Sequence, residues 1–248
     1  MSRDKPKPVA LTIAGSDSSC GAGLQADLST FATLGVHGAS VVTAITAQTP
    51  KKILGIEPVK SAIVLKQLEA VFAGRKPSAS KTGMLLNAGV IECVAKFFSE
   101  KKRPPLIVDP VMVSSSGAEL LRPGAIRVLR KRLLPLATVV TPNAPEAELL
   151  TGLSVRDPED MRMAARALFE QSGCAAVVTG GHLSGREVIE VFYDGHEELL
   201  LTAPRVKGGP WPGTGCRFSA AIAAGLAKQQ KMAQAVVKAK EFVADYIS

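Results

Sequence analysis

The sequence predicts an α/β protein in which a mostly parallel sheet is sandwiched between helices. Three observations predict it. Short apolar runs alternate with longer patterns of helical period along the whole chain. Polar residues with chemical potential fall just after several of the apolar runs, where ligands of such sheets usually sit. The chain has 248 residues, 46% apolar and 21% charged, which excludes wholesale disorder and allows a large core. No fixed-period repeat, low-complexity segment or linker divides it, so residues 1–248 read as one domain.

The elements follow in order. An apolar run over 9–14 reads as the first strand, and Gly15 to Gly23 form a loop rich in small residues. A helix over 24–34 places Leu24, Leu28, Phe31 and Leu34 on one face, with Gly35 placed to end it. A strand over 39–45 precedes a helix over 61–72, then a short strand over 81–85 and a helix over 88–98. Leu106, Ile107 and Val108 form a buried strand ending in Asp109-Pro110. A helix over 125–134 follows, then a strand over 137–140 ending in Thr141-Pro142-Asn143. Helices over 144–150 and 158–171 flank the loop before a strand over 175–178. Runs over 187–193 and 197–203 read as a hairpin around Asp194-Gly195, and helices over 215–227 and 232–246 close the chain.

Composition narrows the function. The net charge of +8 admits acidic ligands, but with 4% aromatics there is no basic–aromatic interleave for stacking bases. Arg127, Arg130, Lys131 and Arg132 read as a solvated helix face, so no nucleic-acid partner is expected. No apolar run reaches the roughly 18 residues a membrane span needs, and the first residues lack a leader's apolar region. The cysteines at 20, 93, 174 and 216 are far apart, without CxxC, which suits a reducing cytoplasm. Three histidines make a His-rich metal site a poor prospect.

Gly213-Thr214-Gly215-Cys216 enters a helix of small residues. Backbone N–H groups converging there, with the helix dipole, would bind an anion, and a first-turn thiol tends to lower pKa. The same segment also reads as a close-packed turn with Cys216 as a small hydrophobe. Asp109, leaving an apolar strand, and Glu146, after the Asn143 strand end, can serve Mg²⁺. Equally, Asp109 can cap a turn and Glu146 can complement a helix dipole. Asp27, one turn into its helix, either meets a polar substrate group or faces water.

The run from Leu11 to Ser19, followed by Gly21-Ala22-Gly23-Leu24-Gln25-Ala26-Asp27, resembles the opening motif of the hydroxymethylpyrimidine and phosphomethylpyrimidine kinases of thiamine synthesis. Thr46 to Thr49, Lys81 to Leu85, Val108 to Met112, Thr141 to Glu148, Gly180 to Leu183 and Gly213 to Cys216 resemble further motifs, in the family's order and over nearly the whole chain. The resemblance implies a ribokinase-like three-layer sandwich, a homodimer, ATP and Mg²⁺, and phosphorylation of a pyrimidine hydroxymethyl group and, in many members, of its monophosphate. It places Gly15, Asp27, Gln48 and Met84 at the pyrimidine. It puts Asn143, Glu146, Thr179 and Gly180 at the nucleotide, with Asp109 and Glu146 at the metal. Gly213, Thr214 and Gly215 would form the anion hole, with Cys216 facing the accepting hydroxyl. Pyridoxal kinases belong to the same superfamily and give the alternative substrate; a catalytically weak pyrimidine-binding paralogue is the other alternative.

Four features depart from that pattern. Cys20 stands where the family usually has glycine, and Thr179 where lysine is usual. Pro210-Trp211-Pro212 replaces Asn-Thr-His, and the sequence stops at Ser248, before the family's usual Gly- and His-containing tail.

Overall fold

A computed structural model describes residues 6–49, 52–100, 103–113, 120–121, 123–209 and 211–248. Nine strands among them form one sheet in the order β3-β2-β1-β4-β5-β6-β7-β8-β9. The strands are β1 (Val9–Asp17), β2 (His37–Thr49), β3 (Lys52–Pro58), β4 (Ala79–Thr82), β5 (Leu106–Val108), β6 (Val139–Val140), β7 (Ala175–Thr179), β8 (Glu187–Tyr193) and β9 (Glu198–Pro204). β2, β1, β4, β5, β6 and β7 run parallel, while β3, β8 and β9 are antiparallel at the two edges.

The helices are α1 (Gly23–Thr33), α2 (Ser61–Ala73), α3 (Ala88–Ser99), α4 (Pro123–Val128), α5 (Ala144–Thr151), α6 (Pro158–Ser172), α7 (Thr214–Ala227) and α8 (Met232–Ile247). They cover both faces, because strand side chains alternate in direction. Leu11, Ile13, Leu106, Val108, Ala176 and Val178 join a core with residues of α2 to α6. Ala10, Ile107, Val139, Ala175 and Val177 join a second core with Phe31 of α1, Phe218 to Ala224 of α7 and Val236 of α8. The expected three-layer architecture is therefore present. The run from Ala220 to Ala224 is buried and, apart from Ile222, short-chained, which lets α7 lie close to the sheet.

Three local differences have physical reasons. β3 was not read in the sequence: it is an antiparallel edge strand interrupted by Gly55 and ended by Pro58, so its apolar alternation is weak. The helix expected over 125–134 is α4 followed by a π-helical turn over Leu129–Leu133 and a 3₁₀ turn over Leu134–Leu136. Pro135 has no N–H for the carbonyl one turn back, and the Leu134 N–H bonds instead to Leu129. The strand expected over 81–85 is β4, which ends at Thr82, so Gly83 and Met84 lie in the loop beyond it. Arg127, Arg130, Lys131 and Arg132 are exposed.

From β1 the chain passes to β2 and β3 on one side, then returns to β4 on the other. The β1–β4 neighbourhood is thus a topological switch point, the usual ligand crevice of an open α/β sheet.

Candidate active site

The carboxyl ends of the parallel strands gather the residues singled out in the sequence. Gly15, near the end of β1, abuts Met84 beyond β4: a Cβ on Gly15 would come 2.4 Å from Met84 Cε. Nearby, Asp17 organises the loop over 18–22. Its carboxylate accepts from the Ser19 N–H and hydroxyl, each at 2.8 Å, and from the Ala22 N–H at 2.8 Å. Gln48, at the end of β2, donates to the same carboxylate at 3.4 Å and is held through its backbone by Ser18. Gly15, Gln48 and Met84 therefore share one corner with a loop braced from within. Cys20 sits in that loop at φ 60°, the left-handed region that favours glycine, the residue the resemblance implies there.

Asp27 is buried completely, and its carboxylate has no exposed edge. It accepts from Thr12 at 2.6 Å and from the Lys81 ammonium at 2.9 and 3.0 Å. Lys81, also fully buried, lies 3.5 Å from Asp109 Oδ2. Burial works against its charge, but Asp27 first, then Cys216 and Asp109, hold the ammonium above its ordinary range. The sequence motif around Lys81 gives the lysine no role of its own. The signal was a lysine inside a strand that is otherwise closed, Ala79–Thr82.

Asp109 leaves β5 and is 7% exposed. Its Oδ2 also accepts from the Ser219 hydroxyl at 2.9 Å, one turn into α7. No described residue donates to its Oδ1. Asn143, Thr179 and Gly180 meet at the ends of β6 and β7, where Asn143 and Thr179 bridge. Gly180 is close-packed, since a Cβ there would come 2.6 Å from the Ile189 carbonyl.

Two helix N-termini face this crevice. α5 is sealed by a capping box: Asn143 Oδ1 accepts from the Glu146 N–H at 2.9 Å, and Glu146 Oε2 from the Asn143 N–H at 3.0 Å. Glu146 Oε1 takes the Met112 N–H at 3.1 Å. Burial, then the neighbouring Asp109, pushes this carboxyl up to about 7, against the pull of the two N–H donors. α7 has no capping side chain. Gly213 adopts φ 75°, and a Cβ on it would come 2.1 Å from the Gly21 carbonyl, so the turn and the loop over 18–22 are in direct contact. Arg217 Nη1 donates to that same carbonyl at 3.1 Å while its guanidinium stacks 4.2 Å above the Tyr246 ring. A Cβ on Gly215 would meet nothing within 4 Å, so space is open above the first turn.

Cys216 lies in that first turn beside Lys81, Asp109 and Asp27. The expectation of a lowered thiol pKa does not hold. Burial pushes the thiol up to about 12, helped by Asp109 and Asp27, and outweighs Lys81 and the Gly23 N–H. Of the unusual Pro210-Trp211-Pro212 segment, Pro210 lies outside the described residues; Trp211 is exposed and Pro212 faces Gly21.

The donor set fits magnesium. Asp109 raises the Glu146 pKa, the mark of two carboxylates sharing a region that a divalent cation would relieve. Among the described residues no group of three His, Cys, Asp or Glu side chains is placed to hold a metal ion. A metal here would then draw mainly on phosphate and water oxygens, which suits Mg²⁺. No helix among the described residues is long and apolar enough to cross a membrane.

Residues 17–248 match the family model of phosphomethylpyrimidine kinase. The chain is 46% identical to the hydroxymethylpyrimidine/phosphomethylpyrimidine kinase of Rhizobium meliloti, over 97% of this chain and 90% of that protein. It is 44% identical to the thiamine biosynthesis bifunctional protein ThiED of Geobacter sulfurreducens, over 96% of this chain, and spans 49% of that longer protein. In structure it is similar to an ADP complex of Bacillus subtilis pyridoxal kinase, at TM-score 0.89 and 39% identity, covering 96% and 90% of the two chains. It is also similar to the phosphomethylpyrimidine kinase of Clostridium difficile, at TM-score 0.86 and 38% identity, covering 98% and 100%.

Proposed function

The chain belongs to the phosphomethylpyrimidine kinase family, and from that premise we propose that it transfers the terminal phosphoryl group of ATP to the hydroxymethyl group of 4-amino-5-hydroxymethyl-2-methylpyrimidine. Phosphorylation of the resulting monophosphate to the diphosphate belongs to the same reading. The observation that carries it is the uncapped start of α7, with Cys216 in its first turn beside Asp109 and Lys81.

Each residue has a task in this scheme. Gly15, Gln48 and Met84 form the corner that receives the pyrimidine ring, with Asp27 beneath it. The N–H groups of Gly213, Thr214 and Gly215 stabilise charge on the transferring group, which needs positioning and neutralisation more than covalent chemistry. Asp109, whose Oδ1 takes no donor among the described residues, and Glu146 would hold magnesium. Bound magnesium supplies neutralisation of the phosphate charge. Asn143, Thr179 and Gly180 border the nucleotide. Cys216 accepts the hydroxyl proton. Its thiol holds its own proton in the ligand-free protein, so turnover by this route rises with pH as the thiolate fraction grows.

The likeness to pyridoxal kinase favours a second reading, with pyridoxal as acceptor. Mass spectrometry of products from Mg-ATP with hydroxymethylpyrimidine, its monophosphate or pyridoxal separates the two. Pyrimidine phosphate that disappears in Cys216→Ala supports the scheme, and a pyridoxal product alone changes the substrate. No product from any acceptor, with pyrimidine still bound, returns the chain to a binding protein. The reading includes a cytoplasmic enzyme, which its free cysteines fit, and a homodimer, for which Ile45 and Leu54 offer exposed apolar surface on β2 and β3.

A further inference from the structure

A completely buried lysine needs an explanation, because one buried carboxylate is enough to balance it. Lys81 has two. Asp27 holds its ammonium at 2.9 Å, and Asp109 Oδ2 lies 3.5 Å from it. Gly83 leaves the room, since a Cβ there would come 3.2 Å from Lys81 Nζ. Lys81 and the Ser219 hydroxyl both act on the same oxygen of Asp109. This spends Oδ2 on the protein and leaves Oδ1 without a described donor. A carboxylate held by one oxygen cannot rotate without breaking those contacts, so its other oxygen is fixed in place before any ligand arrives.

We propose that Lys81 is a positioning residue: anchored on Asp27, it orients Asp109 so that Oδ1 is presented to the metal of the bound nucleotide. This deepens the reading above and rests on Asp109 being the metal-side carboxylate. Second-sphere partners of metal ligands commonly alter affinity by about 10–100-fold.

Lys81→Met alone strands the Asp27 charge in the core and risks unfolding. The informative pair is Asp27→Asn against Asp27→Asn/Lys81→Met, because the double variant removes both buried charges together. Mn²⁺ binding is followed by electron paramagnetic resonance in the presence of ADP, with a melting curve for each protein. The expected result is cooperative melting in both, with Mn²⁺ held about tenfold or more weakly in the double variant than in Asp27→Asn. In turnover, kcat falls between the two by a similar factor while KM for the pyrimidine does not change. Equal Mn²⁺ affinity in the two variants would overturn the proposal and leave Lys81 as a counter-ion of Asp27. Asp109→Asn binding Mn²⁺ as tightly as the wild type would overturn the metal reading itself, and the role of Lys81 with it.

Discussion

α5 and α7 begin at the same edge of the sheet, and both aim backbone N–H groups at the crevice. They differ in what meets those groups. At α5 the side chains of Asn143 and Glu146 close the end in a capping box. At α7 a left-handed Gly213 replaces the cap and the first turn opens onto empty space at Gly215. A helix N-terminus is therefore not enough to make an anion site. In the proposed scheme the anion site is the end that no side chain caps, and the capped neighbour contributes rigidity.

The contrast breaks most severely at Gly213. In Gly213→Ala the new methyl would overlap the Gly21 carbonyl at a backbone angle that L-residues avoid. The expected loss in kcat is at least about a thousandfold, the upper range for a missing oxyanion donor. Retention of kcat within tenfold would show that the turn is not what builds the anion hole. Gly215→Ala is gentler and sharper. Its methyl has room, so the melting temperature should hold while kcat falls about 10–100-fold from crowding of the phosphate position. An unchanged kcat would place the phosphate elsewhere.

On the capped side the effects fall on stability. Glu146 keeps its proton in the folded state up to about 7, well above its ordinary value of 4.5. The folded state thus binds more protons than the unfolded one across that window, and stability falls as pH rises through it. The expected loss is at most about 3–4 kcal/mol for metal-free protein, at about 1.4 kcal/mol per pH unit. Glu146→Gln should flatten this slope in pH-dependent melting; an equal slope would assign it to another group. Smallest is Asn143→Ala, which removes one cap for about 1 kcal/mol, or about 2–4 °C in a chain of this size. No change in melting would mean that water replaces the cap.

Much of this was legible in the sequence. Alternating apolar runs gave both faces of the sheet. Gly213 to Cys216 and the strand-end residues Gly15, Asp109 and Asn143 were visible as local patterns. Glu146 three residues after Asn143 is also a capping signal, beyond the magnesium and helix-dipole roles read from it. What stayed hidden depends on distance along the chain. The partner of Lys81 is 54 residues away and that of Ser219 is 110, so neither cluster has a local period. The thiol of Cys216 escapes a local reading for the same reason: its helix position is local, whereas the charges around it come from Asp27 of α1, Lys81 of β4 and Asp109 after β5.

The approach of Gly21 to Gly213 and Arg217 also bears on how the protein is made. α2 to α6 can settle on one face of the sheet as they are synthesised. The other face, with Ala10, Phe31, Ala79, Ile107 and Val177, waits for α7, which follows every strand of the sheet in the chain. Domains fold as units, and non-local contacts form last. The helix that finishes the core is the one that opens with the Gly213 turn, so a nascent chain acquires its solvent-proof interior and the turn proposed for phosphate in the same late event.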